Sequence, residues 1–480
     1  MKTLLQVLSD EERTRIHEQT LDLLAKTGVR VDSGRGRLFL REAGAEVNEE
    51  TRQVHFPSSL VESALKAVPR QVTLGGRRPG WAFPLNAGEC TLQADGAAVY
   101  TYDTQTGIRR PATYDDWLLA TRLIEALDEV GVYWAMVEPT FSEGSLGDFV
   151  CYWRDIFRTF TKHVQDCTVT VEQSRWMLEV LQATFGSREE VHRLRPLSFL
   201  LCPLSPLIIE AEYTDAYLET LGWDIPLAVM PMPMMGATAP GSLVSTITLA
   251  NCEVLAMLCL VQAAAPGTPF IYAAAPTVMD PRSGRYAGGE IENALLGAAV
   301  TEMARYYGLP AESTTGSCSP HVPGIQASYE RSLNWCLPVL SWPDMLIGPG
   351  LLAGAMTLSI EQLMLDVEVY RRCRRLHQGM VDHEGQWLEA VIRAVGPGGN
   401  FLAKPSTRAA VHNGEWYLER MGVHATFDAW EAAGRPELLS QVREQAEKVL
   451  LENPPLPLSK EVEREIDKIE KKARQETGHS

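Results

Sequence analysis

From residue 130 onward, seven short apolar runs punctuate the chain, each closed by proline, glycine or a polar residue and each followed by a helical pattern. They read VGVYWAMVEP, KHVQDCTV, LSFLLCPLSP, IPLAVMPMPMMG, TPFIYAAAPT, LPAESTTGS and DMLIGPG. Between them stand longer stretches of helical pattern, such as VSTITLANCEVLAMLCLVQAAA and EIENALLGAAVTEMARYYG, closed by Gly or Pro-Gly. Strand and helix alternating at this spacing implies a parallel sheet with crossover helices. Seven runs, with an eighth undefined, favour a (β/α)8 TIM-type barrel over a doubly wound sheet. In such a barrel the functional groups sit at the C-terminal ends of the strands.

The flanks follow a different pattern. Ser9 and Glu12 form a capping box before a helix carrying Ile16, Leu23 and Leu24, and Gly28 is placed to end it. From Val29 to about Pro111 the chain is rich in turns, with LGGRRPG and TYDTQTGIRRPAT as expected hairpins, the second turning at Gly107. After Gly398 it becomes polar and helical. In the last stretch Val462, Ile466, Ile469 and Ala473 recur at helical spacing, a stripe that must dock either on the barrel or on another copy. The expected organisation is an N-terminal α+β subdomain (1–115), the barrel (116–397) and a C-terminal helical extension (398–480).

Composition narrows the class of partner. The 480 residues are 45% hydrophobic and 22% charged, which suits one large folded unit with appendages. A net charge of -17 disfavours nucleic acid and anionic membrane surfaces. The most apolar stretches, around residues 197–209 and 225–239, are broken by Pro and Gly well before membrane-spanning length, and no export signal is recognisable, so a cytoplasmic protein is expected. Nine scattered cysteines, none in a Cys-x-x-Cys pair, fit a reducing compartment.

The strand ends supply the candidate chemistry. MPMPMMGATAP (Met230 to Pro240) places four methionines and three prolines where one strand meets the barrel mouth. Methionine fills irregular apolar space without a charge or a readily lost proton, and proline fixes a strand end that needs no N–H. Such a rim suits a large apolar surface; a Met-rich core strand is the alternative. Aromatic residues cluster near other run ends, at Tyr133, Trp134, Tyr272, Tyr306, Tyr307, Tyr329 and Trp335. Ring faces hold a quaternary ammonium, which donates no hydrogen bond, although QASYERSLNWCLPVL also reads as a helix burying Tyr329, Leu333 and Cys336 or Leu337. Glu138, Asp166, Glu210, Asp280 and Glu312 supply carboxylates to balance a cation or to cap helices. His163 with Cys167, and Cys318 with His321, are each a pair short of a zinc site, so no metal is expected. GPGLLAG (Gly348 to Gly354) stands where barrels often bind phosphate, or merely makes a tight turn. No nucleophile elbow, Walker loop or His-Glu-x-x-His occurs.

RIHEQTLDLLAKTGVRVDS, REAGAEV, YDTQTGIRRPAT, PLSPL, GATAPGSLVSTITLANCEVLA, ARYYGLP, QASYERSL and LSIEQLMLDVEVYR, in this order, resemble the trimethylamine methyltransferase family. The resemblance implies a barrel enzyme that moves a methyl group from an amine to the Co(I) of a corrinoid (cobalamin) carried by a separate protein. Founding members carry pyrrolysine in the segment matching about residues 329–340, to engage an amine lone pair. This chain reads YERSLNWCLPVL there. A quaternary amine has no lone pair, so the resemblance points to the nonpyrrolysine branch, which includes glycine betaine methyltransferase, and to a betaine-like substrate. Trp134, Glu138, Tyr272, Tyr329 and Trp335 are then the expected substrate-binding residues. Met232, Met234, Met235, Ser317, Gly348 and Gly350 are expected to face the corrinoid, while no catalytic side chain is singled out. The turn at Gly348 and Gly350, and Asn400 further on, stand where histidines are expected in many relatives. A homo-oligomer is expected. The alternatives are methyl transfer to another acceptor such as tetrahydrofolate, and a non-catalytic barrel that binds betaines or a corrinoid protein.

Overall fold

A computed structural model of the protein describes residues 4–94, 96–103, 106–138, 145–380 and 384–477. Eight parallel strands close into a barrel: β1 (Thr91–Gln93), β2 (Val130–Tyr133), β3 (His163–Asp166), β4 (Leu197–Leu201), β5 (Leu227–Val229), β6 (Phe270–Ala273), β7 (Ala311–Thr314) and β8 (Met345–Ile347). β8 pairs with β1 through Ile347 and Gln93, which closes the ring. Each strand leads to a helix: α1 (Tyr114–Ala126), α2 (Leu146–Thr159), α3 (Val171–Phe185), α4 (Ala211–Leu218), α5 (Leu243–Ala264), α6 (Ile291–Tyr307), α7 (Ile325–Ser341) and α8 (Ile360–Gln378). Capping boxes begin α1 (Thr113, Asp116), α2 (Ser145, Asp148) and α3 (Thr170, Gln173), so the sequence itself fixes where these strand-to-helix loops end.

The seven apolar runs become β2 to β8. The missing eighth strand is β1, whose three residues contain no apolar run, since Thr91 and Gln93 flank Leu92. The barrel therefore begins inside residues 1–115, the span expected to form a separate subdomain. The two expected hairpins are present, Thr73–Gly75 with Ala82–Pro84 and Tyr100–Asp103 with Ile108–Pro111. The first plugs the N-terminal end of the barrel. Its Leu74, with Val72 and Leu85, joins the interior cluster of Val132, Ala228, Ile271 and Met345, and Gly75 offers its carbonyl to the His163 ring at 3.1 Å.

The opening helix Asp10–Lys26 has the expected capping box, and the strands Val29–Val31, Glu46–Asn48 and Gln53–His55 form a small sheet completed by Ile208–Ile209. Alone among the described residues, α5 is long and apolar enough to cross a membrane. It lies instead between the barrel and the N-terminal helices, 83% of its apolar window buried in the protein. At the other end, the helix Lys460–Thr477 lays Ile466, Ile469 and Ala473 against α2, with an Arg154–Glu470 ion pair at 3.1 Å. The stripe thus docks on the chain's own barrel.

Candidate active site

A cavity of about 360 Å³ opens at the C-terminal ends of the strands, within the usual size range for a small-molecule site. β5 supplies its apolar rim. Beyond Val229 the chain stays extended, so alternate residues Met230, Met232 and Met234 line the cavity. The intervening prolines need no N–H, because only their carbonyls pair: Pro231 and Pro233 accept from the amides of Ala275 and Thr277, both at 3.0 Å. Met232 remains 50% exposed at the opening, and Met234–Met235 pairs with Thr277–Val278 as a two-stranded lip. Trp134, beyond β2, and Tyr286 contribute the aromatic faces. Gly96 lets the backbone pass under the indole, for a Cβ there would lie 2.3 Å from Trp134 Cδ1. Tyr286 ends a tight turn held by the Asp280 amide on the Arg285 carbonyl at 2.8 Å.

The floor is polar. Gln93 on β1 lines the cavity and donates to Gln165 on β3, which donates at 2.9 Å to the carboxyl of Glu312 on β7. Thr314, two residues along the same face of β7, lines the cavity, so Glu312 lies one layer beneath. Glu312 is fully buried, and burial pushes its carboxyl up to about 7 against the opposing hydrogen bonds from Gln165 and Gln93. Two acceptors in this network, Gln93 Oε1 and Glu312 Oε1, are buried without a donor, an arrangement that costs stability unless something fills it.

A buried cation braces the rim. Arg331 of α7 donates to the carbonyls of Gly316 (3.1 Å), Gly348 (2.9 Å) and Leu351, and faces Asp366 of α8 at 3.6 Å. The loops after β7 and β8 are thereby tied to one guanidinium. Ser317 sits at the cavity wall, its Oγ accepting from the Ala355 amide at 2.7 Å.

The residues singled out in the sequence separate into groups. Trp134, Met232, Met234 and Ser317 line the cavity, whereas Met235 packs on the core and Glu138, beyond β2, lies outside the lining. Tyr272 does not reach it: the ring points outward from β6, with its hydroxyl on Asn251 of α5 at 2.9 Å. Trp335 is fully buried against Tyr370 behind the barrel, and Tyr329 is 61% exposed beside a neighbouring groove. The three rings therefore form no common cage. Nor does α7 bury Tyr329 and Leu333, because its inward face is Ala327, Glu330, Arg331, Asn334 and Trp335. None of residues 329–340, matched by resemblance to the pyrrolysine segment, lines the cavity.

Gly348 and Gly350 are likewise outside the lining. A Cβ on Gly348 would fall 1.9 Å from Thr315 Oγ1 and one on Gly350 2.7 Å from Met136 Cε, so both glycines answer to close packing. The phosphate reading of this loop fails because its amides are occupied: Gly350 on Asp366, Ala353 on the Pro320 carbonyl and Gly354 on the Cys318 carbonyl. Among the described residues no group of three or more His, Cys, Asp or Glu is placed to hold a metal ion.

Comparison with known proteins agrees with this geometry. The family model for trimethylamine methyltransferase (MTTB) matches residues 2–478. Trimethylamine methyltransferase MttB of Desulfitobacterium hafniense is 30% identical over 473 residues, covering 98% of this chain and 94% of its own. The MttB of Methanosarcina barkeri is 29% identical over 98% of this chain and 95% of its own. Glycine betaine methyltransferase of Desulfitobacterium hafniense is 27% identical, with 88% of each chain covered. In fold, the chain is similar to the crystal structure of the Methanosarcina barkeri monomethylamine methyltransferase, with a TM-score of 0.50, 11% identity, and coverage of 97% and 92% of the two chains.

Proposed function

The chain belongs to the trimethylamine methyltransferase family and is a methyltransferase, and from that premise we propose that it moves a methyl group from a quaternary amine to a corrinoid carried by a separate protein. The observation that carries this reading is the cavity itself: an apolar mouth of Met230, Met232 and Met234, two aromatic faces, and no lysine, arginine or histidine among its described lining residues. A wide apolar ring fits such a rim, and when docked the corrinoid supplies Co(I) as the methyl acceptor. The protein's residues do the rest by position. Trp134 and Tyr286 hold the ammonium by quadrupole and dispersion, and the methionines keep water from the reacting carbon. The pair of the broken C–N bond stays on nitrogen, which leaves as a neutral tertiary amine. No proton needs to be delivered, and the described lining residues include no aspartate, glutamate, lysine or histidine to deliver one.

The nine cysteines are free thiols, which supports a reducing, cytoplasmic setting. Exposed Trp387 and Ile392, and Leu402 and Leu418 in the C-terminal extension, support self-association. The direct test mixes the protein with a Co(I) corrinoid and a panel of glycine betaine, choline and tetramethylammonium, and follows the cobalt absorption spectrum. A change with at least one amine is the expected result. A silent spectrum with every member counts against the reading; labelled methyl recovered on tetrahydrofolate would reassign the acceptor, and tight binding without turnover would make the protein a binding barrel.

A further inference from the structure

We propose that the cavity selects quaternary ammonium ions of net positive charge over zwitterionic betaines, with Glu312 as the counter-charge beneath its floor. The inference rests on the reading that the cavity holds a quaternary amine, and it narrows the class to cations without a carboxylate, such as tetramethylammonium or choline.

Three observations converge on it. The first is what a substrate carboxylate would meet. The described lining offers hydroxyls at Thr277, Tyr286, Thr314 and Ser317 but no cationic side chain. The undescribed residues that flank it in sequence, Asp95 and 139–144 (PTFSEG), contain no basic residue either. Behind the wall, the Arg331 guanidinium is turned toward three backbone carbonyls and Asp366. Arg282 lies in the neighbouring groove, 80% exposed and paired with Asp280 at 2.8 Å. A carboxylate moved from water into such a site loses its hydration without gaining a charge partner.

The second observation is what a cation would meet. Gln93 Oε1 and Glu312 Oε1 are buried acceptors with no donor, and Gln93 is at the cavity surface. A quaternary cation above the floor donates no hydrogen bond to either, but its charge is attracted by both, whereas a second carboxylate would face them as like poles. The third is the absence of a competing charge around Glu312. From β1 and β3 it faces the amides Gln93 and Gln165. From β4 it acts on the thiol of Cys202, which burial pushes up to about 12 and so keeps neutral. His163, one layer deeper on β3, is pushed down to about 4 by burial and is also neutral at the working pH. The described groups around the carboxyl thus leave its charge to be balanced by the ligand.

Because burial holds the Glu312 carboxyl at about 7, the ionised, binding-competent fraction rises from roughly one tenth at pH 6 to nine tenths at pH 8, a change of about tenfold in apparent affinity. Isothermal calorimetry of the full chain with tetramethylammonium, choline and glycine betaine at both pH values tests this without any corrinoid. The expected result is that both cations bind at least about tenfold more tightly than glycine betaine at pH 8 and weaken about tenfold at pH 6. Glu312→Gln, which keeps shape and hydrogen bonding, should abolish the pH dependence and reduce the preference to what the lack of a cationic partner alone imposes on a carboxylate. Glycine betaine binding to the unaltered protein as tightly as choline, or a pH dependence that survives Glu312→Gln, overturns the proposal. Should the variant misfold, an affinity of the unaltered protein that is flat between pH 6 and pH 8 overturns it as well. The two readings fail separately: cation binding with no methyl transfer removes the proposed function and leaves this inference standing, while methyl transfer from glycine betaine alone does the reverse.

Discussion

Replacing Arg331 with methionine should cost the fold several kilocalories and loosen the cavity rim. Arg331 and Asp366 are both fully buried, 3.6 Å apart, and burial raises the Asp366 carboxyl above its usual range even though the guanidinium opposes the shift. Desolvation outweighs the attraction here, so the pair is not simply a source of stability. What Arg331 adds is three carbonyl contacts, to Gly316, Gly348 and Leu351, from two different loops. Arg331→Met leaves those carbonyls and a buried carboxylate without their partner. Breaking a buried pair from one side typically costs about 3–5 kcal/mol, and each hydrogen bond to a charged group is worth roughly 1.5–3 kcal/mol before relaxation; about 3–5 kcal/mol is therefore expected. With a urea slope of about 3–5 kcal/mol per M for a chain this long, the midpoint should fall by about 1 M. Asp366→Asn keeps an oxygen for the Gly350 amide, which now donates to Asp366 at 2.8 Å, while removing the charge. The double variant should consequently cost less than the two single variants together, with a coupling of at least about 1 kcal/mol. Urea unfolding of all four proteins decides the matter. An Arg331→Met protein within 1 kcal/mol of the parent, or strictly additive costs, refutes the idea that one guanidinium organises both loops.

Trp335→Leu should lower thermal stability sharply, by an amount approaching the roughly 3–5 kcal/mol of a large aromatic core truncation, whereas Tyr329→Leu, at an exposed position, should leave the melting temperature nearly unchanged. Equal melting curves for the two variants would contradict the placement of α7. The carboxyls of Asp166, Glu253 and Glu312 are each pushed up to about 7 by burial, so each holds its proton more tightly in the folded chain; their contribution is full below the unfolded values and lost as pH rises through 7. Between pH 6.5 and 8, where the unfolded value of 6.5 leaves His163 opposing the decline by only about 0.4 kcal/mol, each should remove about 1 kcal/mol of unfolding free energy. Glu312→Gln should shrink that decline by its share, and an unchanged pH slope in the variant would show that Glu312 does not titrate there.

The barrel was legible because parallel strands buried on both faces appear as short continuous apolar runs, and seven of them are separated by helix-length spacers. β1 escaped for the same reason in reverse. Its residues Thr91 and Gln93 serve the polar interior, so the strand has no apolar run to show. The same two-sided burial hides which residues face inward. Tyr133 and Trp134 are neighbours, yet Tyr133 hydrogen-bonds outward to Trp117 of α1 at 2.9 Å and Trp134 lines the cavity. Tyr272 and Ala273 divide in the same way, with Ala273 in the barrel interior and Tyr272 against α5. Counting aromatic residues near strand ends could not separate these cases, since parity rather than proximity decides. Tyr286 lay hidden in DPRSGRY, where turn residues leave no periodicity to read.

A better signal was present in the strands' few polar residues. In a strand covered by helices outside and by other strands' side chains inside, a glutamine or glutamate must find a partner, and the layer shared with alternate strands is one place where polar groups can meet. Gln93, Gln165 and Glu312, from β1, β3 and β7, belong to such an alternate-strand layer and are hydrogen-bonded to one another. Asp166 shows why the rule needs parity too, since it follows Gln165 directly and turns the other way, to the hydroxyl of Tyr152 on α2 at 2.6 Å. A parallel strand that reads apolar except for one glutamine or glutamate therefore announces a polar layer inside the barrel. When that layer closes the floor of a cavity lined by Met230, Met232 and Met234, the carboxyl it contains is the group best placed to set the charge of what binds above it.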